Sequence, residues 1–225
     1  MSIRENGIVI DEARAAGEIR SEIRGSMNKD SCVRLSAYTI TPESEQHIKE
    51  TLEEILSRFG QTDLLMTAAI ILKEIATNAV KANLKHLLLQ GRSEAEAAAF
   101  LPEFRKILQT GGPSAYRAQL AAAGLKIEIC LQFDASGLRL SARNGFPVEG
   151  AERDRLNDKW SKALQGGDMR HFFDRNRADA EGAGLGFTMV INALKSGDID
   201  PQSFRFDTED GKTVAAVFIP FKKTG

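Results

Sequence analysis

The stretch Lys73-Glu74-Ile75-Ala76-Thr77-Asn78-Ala79-Val80-Lys81 decides how the rest of the chain is read. Glu74, Asn78 and Lys81 stand at i, i+4 and i+7, so on a helix they project from one face, each a turn beyond the last. A carboxylate, an amide and an ammonium stacked in this way can orient a water, hold a cation and meet a phosphate. Around them Leu64, Ala68, Leu72, Ile75, Ala79 and Ala82 recur at helical spacing and predict a buried stripe. Far downstream, Glu181-Gly182-Ala183-Gly184-Leu185-Gly186 is a glycine-rich turn into a second helix, where free backbone N–H groups favour an anion. Either element alone is ordinary: polar stripes are commonly solvated faces with a Lys–Glu pair, and glycine loops precede many helices. In combination they predict a nucleotide pocket.

Upstream of the stretch, residues 9 to 27 read as a polar helix carrying Ala13, Ala16, Ile19 and Ile23, and Cys32 to Ile40 as a strand. Thr41-Pro42-Glu43-Ser44 is a helix start, with a capping threonine, proline in the first turn and an acid at the positive dipole end. That helix should run to about Phe59, and the next from Thr62-Asp63 to Gly91. Residues 92 to 123 are alanine-rich, split by Gly111-Gly112-Pro113 into two short helices. The apolar positions from Ala95 to Phe100, with Phe104, Ile107 and Leu108, read as a lid over the protein's own core in preference to a partner surface.

Downstream, Ile127, Ile129, Leu131 and Phe133 alternate as one strand face, and Asp134-Ala135-Ser136-Gly137 turns into a partner strand, Leu138 to Ala142. Asn144-Gly145-Phe146-Pro147 ends it. Residues 148 to 181 are charged and partly helical, a helix follows from Gly184 to about Leu194, and strands near 204–207 and 213–220 close the chain. Helices followed by antiparallel strands, with one helix interposed, predict an α+β fold: a two-layer sandwich with helices on one face of a mixed, mostly antiparallel sheet.

The totals limit the function classes. With 225 residues, 42% hydrophobic and 27% charged, the chain has the composition of an ordinary globular protein. A net charge of −1 gives no electrostatic ground for nucleic-acid binding, and no apolar run is long enough for a membrane span. A cytoplasmic location is the default expectation. Cys32 and Cys130 lack metal-ligand spacing, and Cys130 reads as a small core residue.

The order of E-x-x-x-N-A-x-K helix, strand hairpin ending in N-G, charged segment, G-x-G-L-G helix and closing hairpin resembles the GHKL superfamily. Its members are the ATP-binding domains of gyrase, histidine kinases, heat-shock chaperones and mismatch-repair proteins. The resemblance covers about residues 33 to 221, with residues 87 to 123 as a helical insertion. It implies a GHKL-like domain over 31–225 and leaves 1–30 as an N-terminal docking or dimerisation segment, suited to a homodimer. Glu74 to Lys81 look like the family's N box, and Gly182 to Gly186 like its second glycine box.

The resemblance implies ATP and Mg²⁺ as cofactors. Asn78 would ligate Mg²⁺ through its side-chain oxygen, Lys81 would approach the phosphates, and Glu74 would polarise a nucleophile. Gly182, Gly184 and Gly186, with Leu185 between them, would bring backbone close to the phosphates, and residues 148 to 181 would be the ATP lid. One motif departs from the family. Where its first glycine box places an aspartate that accepts from the adenine amine, the chain reads Arg143-Asn144-Gly145-Phe146-Pro147. Gly145 fits, but Arg143 has donors only, and Pro147 replaces the second glycine. A one-residue shift would offer the Asn144 amide oxygen and put the glycine out of register.

Three functions compete. The first is a stand-alone histidine-kinase-like domain in bacterial signal transduction, binding Mg-nucleotide and transferring phosphate to a partner protein. His47, His86 and His171 lack the surroundings of a phosphoacceptor, so the chain is not a self-contained sensor kinase. The second is a non-catalytic signalling adaptor that keeps the fold without adenine binding. The third is a guanine-nucleotide binder in which Arg143 bridges O6 and N7 of the base.

Overall fold

The computed structural model describes residues 8–11, 16–27, 31–148, 150–165 and 183–222. The alternation noted from Ile127 onward orients the whole sheet. In β3 (Ile127–Asp134) the odd-numbered side chains are buried and the even-numbered ones look outward. Register carries that inner face to both neighbours: Leu131 lies opposite Val33 of β2 (Cys32–Ala37) and opposite Leu140 of β4 (Gly137–Arg143). Leu140 in turn lies opposite Val217 of β6 (Lys212–Pro220), and Val217 opposite Phe204 of β5 (Phe204–Glu209). A short β1 (Ile8–Val9) adds to β2 in parallel. The result is an open, mixed, six-stranded sheet in the order β1-β2-β3-β4-β6-β5.

The helices are α1 (Ala16–Met27), α2 (Pro42–Arg58), α3 (Leu65–Leu89), α4 (Glu94–Thr110), α5 (Arg117–Ala122), α6 (Gly150–Gln165) and α7 (Ala183–Ser196), which makes the described fold α+β. The start of α2 is as the sequence predicts: the Thr41 hydroxyl accepts from the Ser44 amide, and the Ser44 hydroxyl from the Thr41 amide, with proline at the first position. Leu64, Ala68, Leu72 and Ile75 are buried against the sheet, as the stripe predicts. Ala79 and Ala82 are only half-buried, because they border a cavity.

Residues of the first 27 are built into the same core: Ile10, Ile19, Ile23 and Met27 are all buried. The expected 9–27 helix is therefore shorter at its start, since Ile8 and Val9 pair with Leu35 and Ser36. The buried Asp11 carboxylate fixes this end of the chain. It accepts from the amides of Tyr38 and Thr39, both at 2.9 Å, and pairs with Arg117 at 3.2 Å.

The insertion forms a small apolar cluster with α3, separate from the main core, and Ala95, Ala98 and Ala99, expected in the lid, stay exposed. Phe100 and Phe104 of α4 bury against Leu84 of α3, with Leu88 and Ile107 alongside. No helix among the described residues is long and apolar enough to cross a membrane.

Candidate functional site

A cleft of about 560 Å³ opens between the second half of α3, the residues after β4, and α7. That is the size range of small-molecule sites, about 300–1,000 Å³. Asn78 and Lys81 line it from α3, Asn144 and Pro147 from the chain after β4, and Thr213 and Ala215 from β6. Phe104 and Leu108 of the insertion helix close one end, and Leu156 and Phe187 border it from α6 and α7. The lining is mainly apolar with a few polar groups converging on it, the pattern of a ligand pocket.

Glu74 and Gly186, 112 positions apart, meet beside Asn78, which lines the cleft, although neither of the two lines it itself. A Cβ at Gly186 would stand 2.8 Å from Glu74 Oε2 and 3.5 Å from Asn78 Nδ2. Only glycine lets the first turns of α7 approach the carboxylate and amide of α3 this closely. Gly184 and Leu185 lie in the first turn of α7, which begins at Ala183, one residue before the expected start. Gly182 lies outside the described residues.

The segment after β4 is held by backbone and amide bonds. The Asn144 amide donates to the Thr213 carbonyl at 3.1 Å, and the Thr213 amide donates to the Phe146 carbonyl at 2.9 Å. The Thr213 hydroxyl donates to the same carbonyl, also at 2.9 Å. Asn83, fully buried on α3, bridges the turn: its Nδ2 donates to the Leu125 carbonyl at 3.0 Å, and its Oδ1 accepts from the Gly145 amide at 3.2 Å. Phe146 stacks on His86 with centroids 4.3 Å apart and planes 18° from parallel. Gly145 itself does not line the cleft; its part is this backbone bond.

Asn144 is 5% exposed, and its Oδ1 is buried with no hydrogen-bond partner among the described residues. Such an atom is costly to leave unpaired, so it marks a place where a donor belongs. Asn144, one residue beyond Arg143, is the side chain that lines the cleft. Arg143, expected to face the base, instead projects from the outer face of the sheet and pairs with Glu209 at 2.8 Å. The reason is the two-residue period of a strand: Ala142 faces inward and lines the cleft, so Arg143 must face outward.

Of the expected lid over 148–181, residues 150–165 form α6, and 166–182, with His171, lie outside the described residues. Trp160 anchors α6, stacked on Phe204 at 4.4 Å and edge-on to Phe187 at 5.6 Å. Sequence reading passed over this aromatic cluster because its members come from three elements. It also missed Asn83, whose signal was an amide at a position of α3 where the pattern demands an apolar side chain.

A second cavity, about 610 Å³, lies between α1 and α2, and most of its charged side chains are paired with each other. Arg20 meets Glu50 at 2.6 Å, and Glu54 meets Arg24 and Arg58 at 3.2 and 3.0 Å. His47 on this wall is buried, and its Nδ1 has no partner among the described residues. Burial pushes its imidazole below the usual 6.5, with Glu50 opposing and Arg20 adding to the shift. The native state then binds fewer protons than the unfolded chain below about pH 6.5, so stability is full above that value and falls as pH drops through the lowered native pKa. Urea melts at about pH 7.5 and pH 5 should show this loss, and His47→Gln should reduce it.

Among the described residues no group of three or more His, Cys, Asp and Glu is arranged to hold a metal ion. No family model matches the chain, and no solved structure matches it. A similar protein is an uncharacterized protein of Treponema pallidum (strain Nichols), 21% identical over 206 residues. The match takes in 88% of this chain and 40% of that protein, so the chain spans well under half the length of the relative.

Proposed function

We propose that the α3–α7 cleft binds a Mg²⁺-nucleotide complex in the manner of the GHKL superfamily, and that the protein serves signalling by transferring phosphate to a partner protein. The observation that carries this reading is the approach of Gly186 to Glu74 and Asn78, at 2.8 and 3.5 Å from its Cβ position. A carboxylate and an amide brought against the first turns of a helix, beside a cleft, suit a cation and phosphates. Asn78 would hold the cation, whose other ligands would come from phosphate and water. When bound, that ion supplies charge neutralisation at the phosphates. Lys81, on the same wall, would meet phosphate oxygens, and Glu74 would polarise the attacking group.

The Asn144 Oδ1 on the cleft wall, without a partner among the described residues, would accept a hydrogen bond from the exocyclic amine of adenine. The guanine reading depended on Arg143, which is turned to the opposite face and paired with Glu209. Calorimetric titration with ATP, with and without Mg²⁺, tests the reading; no binding at millimolar nucleotide overturns it. Asn144→Leu should leave the free protein at least as stable, because it removes a buried unpaired oxygen, and should weaken ATP by about tenfold or more. The adaptor reading is supported by Pro147 on the cleft wall, and ATP hydrolysis abolished by Asn78→Ala would exclude it.

A further inference from the structure

The outer face of the sheet carries a pair of groups that the cleft does not use. Register sets Cys32 opposite Gln132 and Cys130 opposite Arg34, so the two thiols are diagonal neighbours on β2 and β3. Cys130, read from sequence as a core residue, is half-buried on this face, because the inner face takes Ile129 and Leu131. The sulfurs are 2.9 Å apart, although 98 positions separate them in the chain, and one thiol donates to the other. Arg34, Gln132 and Arg139 around them are exposed, which leaves the pair open to a small reagent. The bond to Cys32 and burial keep the Cys130 thiol protonated, while Arg34 and Arg143 oppose that effect.

We propose that Cys32 and Cys130 are a reversible oxidation site, converted to an intramolecular disulfide by a hydroperoxide and restored by a dithiol. In the first step one sulfur, as thiolate, attacks a peroxide oxygen; an S–O bond forms, the O–O bond breaks, and the departing hydroxide leaves as water after taking a proton. In the second step the other sulfur attacks the sulfenyl sulfur. An S–S bond forms, the S–O bond breaks, and the second thiol's proton leaves with that oxygen as water. Two thiols are oxidised and one hydrogen peroxide is reduced to two waters. The link would tie β2 to β3 on the face opposite the cleft, so it stands independently of the nucleotide reading.

The test treats the full chain with equimolar hydrogen peroxide, blocks remaining thiols with an alkylating agent, and weighs the intact protein and its unreduced peptides. The expected result is a monomer lighter by two hydrogens, with no alkylated thiol and a cross-linked peptide pair containing Cys32 and Cys130, reversed by dithiothreitol. Cys32→Ser and Cys130→Ser should each lose the link completely, the remaining sulfur stopping at sulfenic acid or oxidising further. Persistence of both thiols, sulfinic acid in place of the link, or disulfides only between molecules would overturn the proposal.

Discussion

Asn83→Ala should lower stability by about 3 kcal/mol and loosen the floor of the cleft in the same step. Asn83 has no exposed surface and ties two backbone groups that have no other partner among the described residues, the Leu125 carbonyl and the Gly145 amide. Alanine leaves both in a dry interior, at about 1–3 kcal/mol for each unsatisfied group. Asn83→Leu separates causes, because it restores the volume without either hydrogen bond and should be nearly as damaging. Denaturant midpoints measure both variants; a loss within about 0.5 kcal/mol would mean the bridge contributes nothing. Gly145 is next to Asn144, so freeing its amide should also weaken nucleotide binding, beyond what the unfolded fraction explains.

Asn83 also shows where sequence reading stops. The strand faces were legible because burial leaves a two-residue alternation, as in Ile127 to Phe133, and the α2 start was legible because Thr41, Pro42 and Ser44 act locally. The Glu74–Asn78–Lys81 stripe was visible for the same reason: helical spacing alone places it on one face. Two other features rest on pairings that no local window contains. The Asn83 bridge joins α3 to the segment on either side of the β3–β4 hairpin, and the aromatic cluster draws Trp160, Phe187 and Phe204 from three elements. The direction of Arg143 was deducible from Ala142 in principle, since one must face inward if the other faces out. Alignment to a family motif put Arg143 in the pocket; the strand's own period turns it to the outer face, and Asn144 lines the cleft in its stead.

Gly186→Ala should weaken Mg²⁺-dependent nucleotide binding by about tenfold or more while leaving the fold intact. The added methyl would stand 2.8 Å from Glu74 Oε2, closer than a carbon and an oxygen can rest, and 3.5 Å from Asn78 Nδ2. The nearer atom is the far end of a flexible side chain, so the carboxylate can swing away at little cost to packing. Alanine also favours a helix over glycine by about 1 kcal/mol, which offsets part of any strain in α7. Stability should therefore change by less than about 1 kcal/mol in either direction, whereas the displaced carboxylate and crowded amide should cost about tenfold or more in affinity for Mg-ATP. A double-mutant cycle with Glu74→Ala identifies the contact. With the carboxylate gone, the methyl has room, so the stability effects of the two changes should not add. Additive effects would show that Gly186 and Glu74 are not in contact, and the observation on which nucleotide binding is proposed would fail with them.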